Sequence, residues 1–158
     1  MDSGWTDFYV TTGGAAAALT GLLFVAVALR PREIRDSPMM VGRARAAFYA
    51  FVGVLFAALL ALAGTSSRLV GLAQIGVAVG VLALSSQFTV RAWRSGEINV
   101  RRAVVYHAGL VIVGVAGAMR AIQGVTPHYE VLLATGILLL LGIAISNSWQ
   151  LVLTHEAR

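Results

Sequence analysis

Five long apolar stretches, separated by short polar segments, dominate the hydrophobic pattern of the chain. A helix needs about 20 mostly apolar residues to cross the hydrocarbon core of a bilayer. The pattern therefore predicts an all-α fold, a transmembrane helical bundle of five spans that forms a single domain over residues 1–158. The predicted spans cover residues 8–29, 46–63, 69–90, 103–119 and 131–153.

Composition agrees with a membrane location. The chain is 58% hydrophobic and 12% charged, whereas about a quarter of the residues of an average globular protein are charged. Since so few charged residues cannot cover the surface of a water-soluble domain, we expect the apolar surface to face lipid. There is no cysteine, so disulfides, thiolate metal sites and cysteine nucleophiles are excluded.

The distribution of arginine predicts the orientation of the bundle. All 12 basic residues are arginine, and only Arg68 and Arg120 lie in the loops that follow the second and fourth spans. The positive-inside rule then places the N-terminus outside and the C-terminus in the cytoplasm. We expect the other arginines to contact anionic lipids and not nucleic acid, because they lie between apolar segments. They are Arg30, Arg32, Arg35, Arg43, Arg45, Arg91, Arg94, Arg101, Arg102 and Arg158.

The longest predicted loop, residues 30–42, follows the first span, which Pro31 is expected to end. Ile34, Met39 and Met40 either dip into the headgroup region as a short interfacial helix or belong to a solvated loop. The sequence leaves both interpretations open.

The first span is unusually rich in small residues, which allow helix backbones to approach closely in lipid. One interpretation is a tightly packed helix. The other is a narrow pore, lined by this helix around the axis of a homo-oligomer, with bulky residues such as Phe24 as an apolar gate. The residues on which both interpretations depend are Gly14, Ala17, Ala18, Thr20, Gly21 and Phe24.

Further glycines indicate close helix packing. Gly76 and Gly80 form a GxxxG motif in the third span, and Gly109, Gly114 and Gly117 lie in the fourth. GxxxG faces favour helix–helix contact in membranes. We therefore expect the protein to self-associate.

Polar residues collect at the predicted cytoplasmic ends of the third, fourth and fifth spans. Polar groups are costly in lipid, so these residues should either bond between helices as a clamp or line a vestibule open to the cytoplasm. His107 could also titrate near neutral pH. This predicted inner polar cluster consists of Ser85, Ser86, Gln87, His107, Ser146 and Asn147.

Arg120 directly follows the predicted fourth span. We expect its side chain to extend to the outer headgroups. If the helix continued to Val125, Arg120 would lie in the membrane and would need a carboxylate, which Glu130 or Asp7 could supply. An outer ion pair between Arg120 and Glu130 is the corresponding prediction.

Catalytic chemistry has no support in the sequence. The metalloprotease motif HExxH, the nucleophile elbow GxSxG and paired aspartates within spans, which are patterns that hydrolases use, are all missing. Ser85 or Ser86 with His107 could formally make a dyad, but nothing in the sequence supports its geometry. We therefore predict a protein that is not an enzyme and that holds no metal or cofactor.

Two segments of the chain are similar to those of a known family. They are the part of the first span from Asp7-Phe8-Tyr9-Val10 through Gly14 to Val27, and the element Asn147-Ser148-Trp149 in the last span. They resemble a widespread family of small polytopic bacterial membrane proteins, some of which are labelled modulators of the FtsH membrane protease. The resemblance covers about a quarter of the chain. It implies a multi-pass protein of the bacterial inner membrane with a regulatory partner, and it brings no catalytic residues.

Overall fold

The structure is a computed structural model that describes residues 3–63, 67–94 and 100–153. These residues form six helices and no strand. The helices are α1 (Ser3–Leu29), α2 (Pro31–Asp36), α3 (Pro38–Leu62), α4 (Ser67–Arg94), α5 (Val100–Gln123) and α6 (Pro127–Leu153). Five helices, all except α2, contain a segment long and apolar enough to cross a membrane. The predicted all-helical fold with five long apolar helices is confirmed.

The helix that forms the second span begins earlier than its apolar run. Ser37 precedes α3 and its side chain accepts a hydrogen bond from the Met40 amide at 3.4 Å, while Pro38 occupies the first helical position. Both features favour a helix start. Met39 and Met40 therefore lie in the first turn of α3, and the loop helix is α2, which contains Ile34.

The α5–α6 turn is set by local sequence. Gly124 has a positive φ of 79°, and its amide donates to the Arg120 carbonyl at 3.0 Å. This left-handed conformation, which glycine adopts without steric cost, ends α5. Thr126 then caps α6 by accepting from the Tyr129 amide at 3.2 Å, with Pro127 as the first residue of the helix. The last turn of α5 and the first turn of α6 are thus held side by side.

Helix α1 lies at the edge of the bundle. It packs along α3 and touches α6 less extensively, whereas α5 packs between α4 and α6 and α3 contacts α1, α4 and α6. Successive long helices run antiparallel, since Gly13 near the start of α1 faces Ala58 near the end of α3. The core therefore lies among α3, α4, α5 and α6.

Glycines allow the closest helix approaches, but not at the positions that the GxxxG motif indicated. A Cβ added at Gly117 of α5 would lie 2.8 Å from the Gly71 carbonyl oxygen of α4. A Cβ at Gly136 of α6 would lie 2.8 Å from Val113 of α5. Gly76 and Gly80, in contrast, have no atom within 4 Å of an added Cβ. The packing of α4 therefore uses Gly71, and the GxxxG face points away from the bundle.

Candidate functional site

A cluster of buried polar side chains lies at the end of the bundle that contains Trp5, where α3 ends and α6 begins. We call it the Arg120 cluster, and its members come from four of the five long helices. Arg120 is 3% exposed, Glu130 is 6% exposed and the others are fully buried. The cluster consists of Tyr9 of α1, Gln74 of α4, Arg120 of α5, and Tyr129 and Glu130 of α6.

Arg120 binds the end of α3. Its guanidinium donates to the carbonyl oxygens of Leu60, Ala61 and Ala63, each at 3.3 Å. The last carbonyls of a helix lack partners within the helix and carry the negative end of its dipole. Arg120 therefore caps α3 from a neighbouring helix, and its charge lies where the dipole stabilises it.

Tyr129 joins the remaining polar groups to this cap. Its hydroxyl accepts from Arg120 at 3.0 Å and from the Gln74 side-chain amide at 3.0 Å. The Arg120 guanidinium also lies over the Tyr129 ring, 5.4 Å from its centroid. This hydroxyl links α4, α5 and α6, and Arg120 extends the link to α3.

Local sequence explains why these groups meet. The short turn at Gly124 brings Tyr129 beside Arg120, although the two are nine residues apart. Gly117 permits the close approach of α4, since its added Cβ would lie 3.0 Å from the Gln74 Cβ. Both features are needed for Gln74 and Arg120 to bond to the same Tyr129 hydroxyl.

Tyr9 enters the cluster from α1. Its ring stacks on Trp5, with centroids 6.2 Å apart, and packs edge-on against Phe8. Its phenol interacts electrostatically with Tyr129, Glu130 and Arg120. Among the described residues the Tyr9 hydroxyl has no hydrogen-bond partner. The ring contacts of Tyr9 lie within α1, so Tyr9 joins α1 to the cluster through the burial of its side chain.

The position of Arg120 corrects one expectation. The fourth span ends at Gln123 and not at residue 119, so Arg120 lies within the helix, buried against protein instead of extended to the headgroups. Main-chain carbonyls and a phenol accept hydrogen bonds from both terminal nitrogens of its guanidinium, whereas its buried Nε has no partner among the described residues. The structure brings Glu130 into the same cluster, and Asp7 is exposed on α1. The Arg120–Glu130 ion pair stays a prediction.

Gln74 and Tyr129 were not among the site residues predicted from the sequence. A usable signal exists for Gln74, because it is the one amide inside an otherwise apolar run from residue 69 to 84. A buried amide in a membrane helix requires a partner. Nothing in the sequence alone marks Tyr129, whose importance depends on the turn before it.

The predicted inner polar cluster bonds mainly within its own helices. The hydroxyls of Ser85 and Ser86 donate to the Leu82 and Ala83 carbonyls at 3.1 and 2.8 Å. His107 Nδ1 lies 2.7 Å from the Ala103 carbonyl oxygen. Such bonds satisfy polar groups within a single helix, and the predicted interhelical clamp stays a prediction.

The other members differ in burial. Asn147 is buried, Ser146 is half-buried and Gln87 is exposed. The interhelical polar contacts described at this end involve Ser85 of the predicted cluster together with neighbouring residues. Arg102 donates to the Gln150 side chain, and the Tyr106 hydroxyl lies close to Ser85.

The small residues of α1 divide between two faces. Tyr9, Thr12, Gly13, Ala16 and Leu23 are buried against the bundle. Thr20 is half-buried and donates to the Ala16 carbonyl at 2.7 Å, and Phe24 packs edge-on against Phe48 of α3. The other predicted residues, which are Gly14, Ala17, Ala18 and Gly21, are exposed.

Among the described residues, no three His, Cys, Asp or Glu side chains lie close enough to hold a metal ion. No family model, no curated protein and no solved structure matches the chain.

Proposed function

We propose that this protein is a non-enzymatic, multi-pass protein of the bacterial inner membrane, with its N-terminus outside, that acts by binding other membrane helices. Its partners include a second copy of itself, and its role is that of a scaffold or modulator. The binding surface is the exposed face of α1. We call this face the α1 outer face, and it consists of Gly14, Ala15, Ala17, Ala18 and Gly21.

One observation carries the proposal. Close approaches inside the bundle use Gly71, Gly117 and Gly136, where an added Cβ would collide with a neighbouring helix. An added Cβ at Gly14 or Gly21 would meet nothing within 4 Å. Small residues have no advantage against lipid tails, but they allow a second helix to approach closely. The α1 outer face is thus a small-residue surface of the kind that helix association uses, and no helix of its own bundle covers it at Gly14 or Gly21.

The position of α1 supports this choice over the GxxxG face of α4. Helix α1 packs mainly on α3, so most of its circumference remains outside the bundle, whereas α4 packs against both α3 and α5. A second helix can therefore reach more of the surface of α1.

The alternative function is a homo-oligomeric channel with α1 around its axis. The edge position of α1 is compatible with a ring of copies. However, the α1 outer face has only Thr11 as a polar neighbour, and the Thr20 hydroxyl is bonded to its own helix. Such a face favours contact with another helix over contact with water. Liposome flux in the parent protein, abolished by Thr20→Leu and altered by Phe24→Ala, would establish the channel instead.

Self-association can be measured by energy transfer between donor- and acceptor-labelled copies diluted in liposomes. The variant Gly14→Leu/Ala18→Leu places two large side chains on the α1 outer face. The matched variant Gly76→Leu/Gly80→Leu does the same, at the same spacing, on α4. We expect the α1 variant to weaken association at least tenfold, or about 1.4 kcal/mol, and the α4 variant to leave it nearly unchanged. The reverse result, or a parent protein that does not associate, would contradict the proposal.

A further inference from the structure

Exposed residues follow one line along α1 with a regular spacing. Positions separated alternately by three and four residues are exposed from the first turn of the helix to the last. An added Cβ at any glycine on this line would meet nothing within 4 Å. We call the line the α1 seam, and it consists of Gly4, Asp7, Thr11, Gly14, Ala18, Gly21, Val25 and Ala28.

The spacing indicates how a second helix packs on the seam. An alternation of three and four residues averages 3.5, slightly fewer than the 3.6 residues of a helical turn, so the seam stays against a neighbouring helix that crosses it in the left-handed sense. The seam also lies opposite the buried side of α1. Tyr9 follows Asp7 by two residues, which is about 200° around the helix, and Tyr9 is fully buried. One partner can therefore contact the seam over its whole length.

The seam is complementary to itself. Two copies inserted in one bilayer have the same orientation, so an α1 helix that pairs with its counterpart runs parallel to it. A two-fold symmetric contact between parallel helices brings each residue of the seam against the same residue of the other copy. Six of the eight residues are Gly, Ala or Thr. The two backbones can therefore approach closely over about 36 Å, at 1.5 Å per residue.

Asp7 is the one charged member of the seam. It lies four residues after Ser3, so its backbone is about 6 Å from the start of α1. The helix has 27 residues and is about 40 Å long, whereas the hydrocarbon core is about 30 Å thick. The Asp7 carboxylate therefore lies near the boundary between hydrocarbon and headgroups. The Arg120 cluster meets α1 at Tyr9, on the opposite side of the helix.

We infer that two copies pair in parallel through the α1 seam, and that this contact brings the two Asp7 carboxylates against each other at one end. The inference rests on the proposed function, because it requires self-association through α1. A charged residue at a facing position fixes the register of two helices at a cost in affinity. Repulsion between the carboxylates thus opposes a contact that the small residues favour. Salt screens this repulsion, so the ionic strength at that membrane surface regulates how tightly two copies pair.

Cysteine cross-linking tests the seam. The chain has no cysteine, so single cysteines can map the contact in liposomes. Thr11→Cys and Ala18→Cys lie on the seam, and the matched controls Ala15→Cys and Ala17→Cys are exposed beside it. We expect oxidation by copper phenanthroline to cross-link the seam variants at least about fivefold faster, because a disulfide requires Cβ atoms within about 4.5 Å of each other.

The cross-links separate the two proposals. Equal or faster cross-linking of the controls would overturn the seam and leave self-association through α1 in place. No cross-link at any of the four positions would contradict both proposals.

The charge of Asp7 gives an independent test. Energy transfer in liposomes compares the parent, Asp7→Asn, Asp7→Arg, and an equal mixture of the parent with Asp7→Arg. The matched control is Asp36→Arg, the same change at an exposed position of α2. We expect Asp7→Asn copies, and the mixed pairs, to associate at least about threefold more tightly than the parent. The control should associate as the parent does, in the pure sample and in the mixture.

Salt provides the last arm. Raising the ionic strength from about 0.01 M to about 1 M shortens the screening length from about 30 Å to about 3 Å. It should therefore strengthen association of the parent and leave Asp7→Asn unchanged. Mixed pairs that associate no more tightly than the parent would overturn the meeting of the two Asp7 carboxylates, while the energy transfer in the same samples still reports the proposed self-association.

Discussion

Replacing Arg120 by alanine tests whether this buried arginine is the residue that connects the helices. The guanidinium makes four hydrogen bonds, to Leu60, Ala61, Ala63 and Tyr129. Nη1 has two N–H groups for three of these acceptors, so three N–H groups serve the four bonds. Alanine removes all of them and leaves the end of α3 without its cap.

The magnitude follows from these bonds. Interhelical hydrogen bonds in membrane proteins contribute on average about 0.6 kcal/mol and at most about 1.7 kcal/mol each. Three N–H donors therefore give a loss of about 2–5 kcal/mol in the free energy of unfolding. We expect Arg120→Lys to fall between alanine and the parent, because it keeps the charge at the end of α3 but loses the planar fork.

The assay is reversible unfolding in mixed micelles of neutral detergent and dodecyl sulfate, followed by far-ultraviolet circular dichroism. The matched control is Arg68→Ala, an exposed arginine in the first turn of α4 at the same end of the bundle. We expect the control to change the free energy of unfolding by less than about 0.5 kcal/mol. If Arg120→Ala unfolds at the same detergent fraction as Arg68→Ala, the cap does not hold the bundle together.

The remaining predictions use pairs of residues that differ in one structural feature, and the same unfolding assay measures them. Gly117→Ala should lower the free energy of unfolding by about 1–3 kcal/mol, because its Cβ would collide with α4. Gly80→Ala, whose Cβ would lie in open space, should leave the free energy of unfolding unchanged or raise it by up to about 1 kcal/mol. Tyr129→Phe should cost about 1–3 kcal/mol, because buried Gln74 and Arg120 lose a shared partner. Tyr9→Phe should be neutral or stabilising, since its buried hydroxyl makes no bond among the described residues. Equal effects within either pair would contradict the packing or the bonding described above.

The fold was accessible from the sequence because insertion into lipid depends on long apolar runs, which are a local property. The ends of the helices were harder to predict from the sequence. An apolar run stops at an arginine, whereas a helix can include arginines near its ends. Arg43 and Arg45 lie inside α3, and Arg120 lies inside α5. Each was assigned to a loop by its charge. The cost of a charge in a membrane depends on its partners, which the sequence alone does not reveal.

The candidate site was accessible only in part for the same reason. Arg120 and Glu130 were singled out by their charge, and the structure places them in one buried cluster. The role of Tyr129 required the tight turn at Gly124, and the role of Gln74 required the close approach at Gly117. The GxxxG motif of α4 faces away from its own bundle, which the small-residue pattern alone does not reveal, and the self-association that it predicts stays a prediction.

The distribution of bonding within the bundle also bears on which helix is offered to a partner. Arg120 ties α3 to α5 directly, and Tyr129 ties α5 to α4 and α6, so four helices share one network of polar bonds. Helix α1 enters that network through Tyr9, whose hydroxyl makes no bond among the described residues, and through packing on α3. A helix that packs mainly on one neighbour can adjust its tilt at a lower cost than a helix that shares this network of buried hydrogen bonds. The helix with the open small-residue face is therefore also the one best able to adjust to a second helix.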